Sequence, residues 1–234
     1  MSFKRSSETH QTEHKILLVD DHPLLRRGLA ALIEGELDLS VCGQAASRKD
    51  ALRCIGQQQP DLAIVDLNLE GSDGLNLIKD IKACRPDVMS MVLSMHDESL
   101  YAERAIHAGA RGYVSKQQLD DTILVAIRRI LDGGIYLSEK MGALCAEKYL
   151  LGQARTQGLE DDSPMAALSD RELEVFQLIG SGESTREIAE RLGLSIKTIE
   201  SHREHIKQKL VLPSGTALVR SAIQWVDIGQ RRCG

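Results

Sequence analysis

Three aspartates stand where short apolar runs give out. Asp20 and Asp21 follow Ile16-Leu-Leu-Val19, and Asp66 follows Leu62-Ala-Ile-Val65. Ser94 closes the run that begins at Met89, and Lys116 follows Gly112-Tyr-Val-Ser115. Carboxylates held side by side raise each other's pKa unless a cation neutralises them. A hard divalent ion, Mg²⁺ first among them, suits oxygen ligands from one or two carboxylates plus water. Ser94 adds a hydroxyl donor and Lys116 a fixed ammonium. A metal, a hydroxyl and an ammonium around one carboxylate make a site at which that carboxylate takes up a phosphoryl group. A lone Asp at a strand end is ordinarily a helix cap or a solvated turn. Five such residues closing successive apolar runs in order are a different observation.

The elements that must position them alternate. Strand patterns cover Lys15–Asp20, Leu39–Cys42, Leu62–Asp66, Met89–Ser94 and Gly112–Ser115. The first, third and fourth are nearly continuous in apolar residues, as strands covered on both faces are. Helical patterns lie between and after them at Pro23–Ile33, Arg48–Gln57, Gly74–Ala83, Ser99–Ala108 and Leu119–Leu131. The expected architecture is a five-stranded, doubly wound parallel sheet with right-handed crossovers. Ligand sites in such sheets lie beyond the carboxyl ends of the strands.

This α/β domain is assigned to residues 14–135, after a polar tail at 1–13 read as disordered. Residues 136–165 read as a helix over 138–152 and a polar linker, Gln153–Met165, with an acidic run, Gly158 and Pro164. From 166 to 234 only helical patterns occur, which makes the second domain all-α.

Composition excludes several classes. Of 234 residues, 42% are apolar and 27% charged, an ordinary globular balance. No apolar run approaches the roughly 18 residues of a membrane helix, and the polar N-terminus lacks a signal core. Five cysteines (Cys42, Cys54, Cys84, Cys145, Cys233) are an odd number without paired spacing, which fits a reducing, cytoplasmic setting. The net charge of −5 is unevenly spread: residues 14–135 carry 14 basic and 18 acidic groups, residues 165–234 carry 10 and 9. Local charge, not the total, governs nucleic-acid binding.

Residues 15–131 resemble a CheY-like receiver domain, and the whole chain resembles a NarL/FixJ-type response regulator. The resemblance rests on Val19-Asp-Asp-His-Pro23, Asp66, Ser94, Ala108-Gly-Ala-Arg-Gly-Tyr113 and Lys116. It implies Asp66 as phospho-acceptor. It implies Asp21 and Asp66 as direct Mg²⁺ ligands, Asp20 as support through water, and the Asn68 main-chain carbonyl as a further ligand. Ser94 and Lys116 would hold the phosphoryl oxygens, and Tyr113 would change rotamer on activation. Phosphorylation adds about −1.5 to −2 charge. Ser94 would be drawn toward it, leaving space for Tyr113 to turn inward. Asn68 and His96 would flank the phosphate. One departure is Glu70, where receivers commonly carry proline, which predicts a differently shaped loop.

In the second domain, Ser169-Asp-Arg-Glu172 and Ser184-Thr-Arg-Glu187 have capping-box spacing. A helix at Ser184–Leu192, a tight turn and a helix at Ser195–Leu210 read as helix-turn-helix. Ile199, His202, Ile206 and Leu210 form its inward stripe, with His202 read as a satisfied structural histidine. Lys197, Ser201, Glu204 and Gln208 face outward, with Arg203, Lys207 and Lys209 on the flanks. That face suits a helix in the DNA major groove, with polar groups reading bases and cations on phosphates. It equally suits a solvated polar face. Residues 167–226 resemble a LuxR-type helix-turn-helix, carried by Leu168–Glu174, Thr185–Ala189, Leu194–Ile199, Ser201–Arg203 and Ile206–Leu210. The resemblance implies that Lys197, Thr198, Ser201, Arg203, Glu204 and Lys207 lie near DNA. Val211 and Pro213 depart from the family's glycine-containing stretch, which predicts an altered turn. The last helix, Thr216–Val226, would be the dimer element, although Trp225 is also compatible with plain core.

The function implied is a DNA-binding transcriptional regulator switched by a histidine kinase at Asp66, a homodimer on double-stranded DNA when phosphorylated. It is not an enzyme beyond taking up and slowly losing its own phosphoryl group. Two alternatives stand beside it. One is a constitutive DNA-binding regulator with a vestigial acidic site; the other is an aspartate-nucleophile phosphohydrolase. The α/β unit carries no cap domain to enclose a substrate, and the retained Asp20, Asp21, Ser94 and Lys116 speak against disuse.

Overall fold

The computed structural model describes residues 13–69, 72–95, 98–118, 122–153 and 164–233. The chain divides into two compact units, one reaching to residue 155 and one from 156 onward.

The first unit contains β1 (His14–Val19), α1 (Pro23–Glu34), β2 (Leu39–Ala45), α2 (Arg48–Gln58) and β3 (Leu62–Val65). Two-residue strands β4 (Asn68–Leu69) and β5 (Ser72–Asp73) follow, then α3 (Gly74–Cys84), β6 (Met89–Ser94) and α4 (Glu98–Ala108). The unit ends with β7 (Gly112–Ser115), α5 (Thr122–Leu131) and α6 (Glu139–Gln153). Five strands form one parallel sheet in the order β2-β1-β3-β6-β7, so the expected doubly wound architecture is observed. The chain crosses in opposite directions on either side of β1, which makes the β1/β3 junction the switch point at which such sheets bind ligands.

The apolar runs are buried on both sides, which explains their continuity. Ile16, Leu18, Ile64 and Leu93 pack against Leu29, Ile33, Ile123, Ile127 and Ile130 of α1 and α5. The alternate residues Leu17, Ala63, Val65 and Val92 are equally buried. Helix starts follow local chemistry: Pro23 opens α1, the Ser47 hydroxyl accepts from the Asp50 N–H, and the Asp73 carboxylate accepts from the Leu75 N–H.

Three local features differ from the sequence reading. β2 continues past Cys42 to Ala45, because Cys42 is an extra residue where the β1 register steps from Val41 to Gly43. Asn68 pairs with Asp73 and Leu69 with Ser72 in a small antiparallel pair of strands after β3. Glu70 itself lies outside the described residues, as do His96, residues 1–12 of the tail and most of the linker. Lys116–Gln118 forms a 3-10 turn, and α5 is described from Thr122. The first unit also runs past position 135. Tyr136 lies parallel to the outer edge of β7, its N–H donating to the Arg111 carbonyl (2.9 Å) and its carbonyl accepting from the Tyr113 N–H (3.0 Å). The Ser138 N–H then donates to Glu98 (2.9 Å), and α6 packs on α4.

The second unit holds α7 (Asp170–Gly180), α8 (Thr185–Arg191), α9 (Ile196–Lys209) and α10 (Gly215–Cys233). Both capping boxes form, at Ser169/Glu172 and Ser184/Glu187. Phe176, Ile179, Ile188, Ile199, Ile206 and Leu218 are the core. Trp225 stacks at a tilt on Phe176, with ring centroids 5.8 Å apart, and so belongs to that core. α10 extends seven residues past Val226, since the single Gly229 costs about 1 kcal/mol in a helix without ending it. The turn after α9 closes as a glycine would close it. Val211 adopts φ 53°, and the Leu212 N–H returns to the Lys207 carbonyl (2.8 Å).

Among the described residues, no helix is long and apolar enough to cross a membrane. Cys42, Cys54 and Cys84 are free thiols.

Candidate functional site

β1 and β3 are hydrogen-bonded neighbours, so the residues that follow them meet. The Asp66 N–H donates to the Val19 carbonyl (2.8 Å), which sets Asp66 beside Asp20 at the sheet's carboxyl edge. Both carboxylates are buried, at 3% exposure each. Lys116 reaches across from β7, its Nζ 2.6 Å from Asp66 Oδ2 and 2.6 Å from Asp20 Oδ2. Toward Asp66 this is a hydrogen bond. Toward Asp20 it is charge contact without hydrogen-bond alignment, and Asp20 Oδ2 accepts no hydrogen bond. Ser94 ends β6, fully buried, on the same edge.

The loop after β3 is pinned from behind. A Cβ on Gly74 would lie 2.1 Å from the Asp66 carbonyl oxygen and 2.8 Å from the Leu67 Cα. Only glycine lets the start of α3 press this closely on the Asp66 main chain. The Asn68 N–H donates to the Asp66 carboxylate, and the β4–β5 hairpin fixes Asn68. The side chain of Arg26 donates to the Asp20 main-chain carbonyl.

Burial dominates the electrostatics of Asp66. It pushes the carboxyl up to about 6, against the pull of the Lys116 ammonium; Asp20 adds to the rise and the Asn68 N–H opposes it.

One neighbour was missed by sequence reasoning. The Nδ1 of His22 lies 2.7 Å from Asp21 Oδ1 and 3.1 Å from Asp20 Oδ1. Its only sequence signal was adjacency to the aspartate pair. Ligand atoms of Asp20, Asp21, His22 and Asp66 all fall within 4.8 Å of one another. Asp20 Oδ2 and Asp21 Oδ1 are buried carboxylate oxygens that accept no hydrogen bond. A donor set of this kind, rich in carboxylate oxygen, fits a hard divalent cation.

Tyr113 on β7 is 1% exposed. Tyr136 pairs with the same strand at Gly112.

In the second unit, α9 begins at the Ser195 cap, whose hydroxyl also meets the Thr198 hydroxyl at 2.8 Å. Lys197, Ser201 and Glu204 are exposed, and Arg203 is half-buried. Lys207 pairs with Glu204 at 2.6 Å. Lys209 is held away from the outer face: its Nζ lies 2.6 Å from the buried carboxylate of Glu172 on α7. Burial pushes Glu172 up, but Lys209 and the Ser169 N–H and hydroxyl outweigh it and hold Glu172 below the usual range. His202 faces inward as expected, yet it is not satisfied. Its buried Nδ1 has no hydrogen-bond partner, and burial lowers its pKa.

Both halves of the chain match known families. Residues 16–128 match the response regulator receiver domain, and residues 166–222 match the bacterial regulatory proteins of the luxR family. The oxygen regulatory protein NreC of Staphylococcus carnosus (strain TM300) is 34% identical over 211 residues, 90% of this chain and 97% of the relative. A LuxR-family two-component response regulator from Aurantimonas sp. SI85-9A1 superposes with a TM-score of 0.55 at 32% identity, over 59% of this chain and all but 1% of that one. RcsB from Salmonella enterica serovar Typhimurium, solved bound to promoter P1flhDC in the presence of the phosphomimetic BeF3-, gives a TM-score of 0.54 at 26% identity over 91% of this chain and 100% of that one. With both modules matched in order, and with relatives of this identity covered nearly end to end, the chain belongs to the NarL/FixJ-type two-component response regulators.

Proposed function

We propose that the chain is a transcriptional regulator of the cytoplasm whose affinity for double-stranded DNA is set by phosphorylation of Asp66. One observation carries this reading. A buried carboxylate at the switch point is held by a buried ammonium at 2.6 Å, among two further aspartates. Asp66 Oδ attacks phosphorus of a sensor kinase's phosphohistidine, the P–N bond breaks, and the imidazole leaves. Lys116 stays beside Asp66 and holds a phosphoryl oxygen, and the Ser94 hydroxyl donates to another. Asp21, Asp66 and the Asn68 carbonyl would hold Mg²⁺, with Asp20 behind them, and the ion would supply positive charge beside the phosphoryl oxygens. The same residues slowly return the group to water, so the chain acts as a switch and not as a turnover enzyme.

On DNA, α9 is the reading element, with Lys197, Thr198, Ser201, Arg203, Glu204 and Lys207 toward the duplex. Two copies occupy half-sites about one helical turn apart. Capture of fragmented genomic DNA by phosphodonor-treated protein, followed by sequencing, tests this against Asp66→Asn. Enrichment of a paired half-site with the wild type alone supports the switch; equal enrichment with both proteins supports a constitutive regulator.

A further inference from the structure

The imidazole of His22 is held against the acidic cluster by a hydrogen bond between Nδ1 and Asp20 Oδ1. The ring is 68% exposed, yet Nδ1 lies 2.7 Å from Asp21 Oδ1 and 3.1 Å from Asp20 Oδ1. The main chain brings the residue to this point. The His22 N–H donates to Asp20 Oδ1 (2.7 Å), and Pro23 opens α1 immediately after, so the chain turns at the mouth of the site. Octahedral ligands at about 2.1 Å from a dication lie about 3.0 Å apart along a shared edge. The 2.7 Å between Nδ1 and Asp21 Oδ1 is close to that spacing.

We propose that His22 is a nitrogen ligand of the divalent-cation site. This rests on the reading of Asp20, Asp21 and Asp66 as that site. The consequence is selectivity. Carboxylate and water donors suit Mg²⁺, whereas an added imidazole favours first-row transition dications, in the order Mn²⁺ < Co²⁺ < Ni²⁺. The chain therefore binds Ni²⁺ and Mn²⁺ more tightly than an all-oxygen site would, and His22 sets the difference.

The test uses the full chain loaded with Mn²⁺. Pulsed electron paramagnetic resonance reads a directly bound nitrogen as echo modulation. The expected result is a histidine nitrogen coupling in the wild type, absent in His22→Asn and His22→Gln and retained in His205→Asn. Titration calorimetry runs alongside: the affinity ratio of Ni²⁺ to Mg²⁺ falls about tenfold or more in His22→Asn, with Mg²⁺ affinity itself little changed. Mn²⁺ binding with no nitrogen coupling in the wild type overturns the proposal and leaves the acidic site standing. Absence of any divalent-cation binding overturns both.

Discussion

Lys116 Nζ lies equally close, 2.6 Å, to one carboxylate oxygen of Asp66 and one of Asp20. A single ammonium thus serves two buried carboxylates from strands on either side of the switch point. Burial still wins at Asp66, whose pKa stands at about 6. Truncating Lys116 leaves both charges unpaired. Lys116→Met is expected to raise the Asp66 pKa further, to slow phosphoryl uptake, and to cost about 3 kcal/mol of stability. Carbon-detected NMR titration of the Asp66 carboxyl and urea denaturation measure the two effects.

The Asp66 carboxylate destabilises the fold that holds it. Its pKa is raised from 3.8 to about 6, so between those values the folded chain keeps a proton that the unfolded chain has released. Stability from this group falls as pH rises through that interval, and the cost is fully present above about 6. Asp66→Asn is therefore expected to be more stable than the wild type at pH 7.5, by on the order of 2 kcal/mol, with the gap closing near pH 4. Thermal unfolding at the two pH values checks it. A wild type as stable as Asp66→Asn at pH 7.5 contradicts it.

Gly74 is a steric requirement of the Asp66 loop. A methyl group there meets the Asp66 carbonyl at 2.1 Å, a distance that only displacement of the main chain relieves. Gly74→Ala is expected to lose about 2 kcal/mol and to slow phosphoryl uptake, although it touches neither the carboxylate nor Lys116. Uptake measured under conditions where the variant is fully folded separates the two effects.

Val211 carries backbone strain that a glycine would relieve. It is β-branched, 87% exposed, and held at φ 53°. A left-handed conformation costs a residue with a Cβ about 1–2 kcal/mol. Val211→Gly is expected to raise the stability of the second unit by about 1 kcal/mol. An unchanged or lower denaturation midpoint contradicts the strain.

The basic groups of α9 are expected to divide between DNA and fold. Arg203→Ala is expected to reduce the salt slope of DNA binding by about one charge. Lys209→Ala is expected to leave the slope unchanged and to weaken the fold instead, since Lys209 is committed to Glu172. Glu172 is held below its ordinary range, so its contribution is present above that range and is lost as pH falls through the folded-state value. The Lys209→Ala defect should accordingly shrink in acid.

The frame of the receiver was legible because buried parallel strands are continuously apolar, and their ends lie together whatever the loops do. Asp20, Asp66 and Lys116 could be grouped from that alone. What escaped has no periodic signal. The extra residue Cys42 in β2 shows only in the register with β1. The β4–β5 hairpin is two residues deep, too short to alternate. Lys209 and Glu172 are far apart in sequence, and only the packing of α9 on α7 joins them. The orphaned Nδ1 of His202 likewise follows from what surrounds the ring, which helical spacing does not reveal.

The central claim is that Asp66 takes up a phosphoryl group. Mass spectrometry of the chain after acetyl phosphate and Mg²⁺ tests it directly. An acid-labile adduct of one phosphoryl mass on the peptide containing Asp66, missing in Asp66→Asn, is the predicted result. An unmodified Asp66 under those conditions contradicts it.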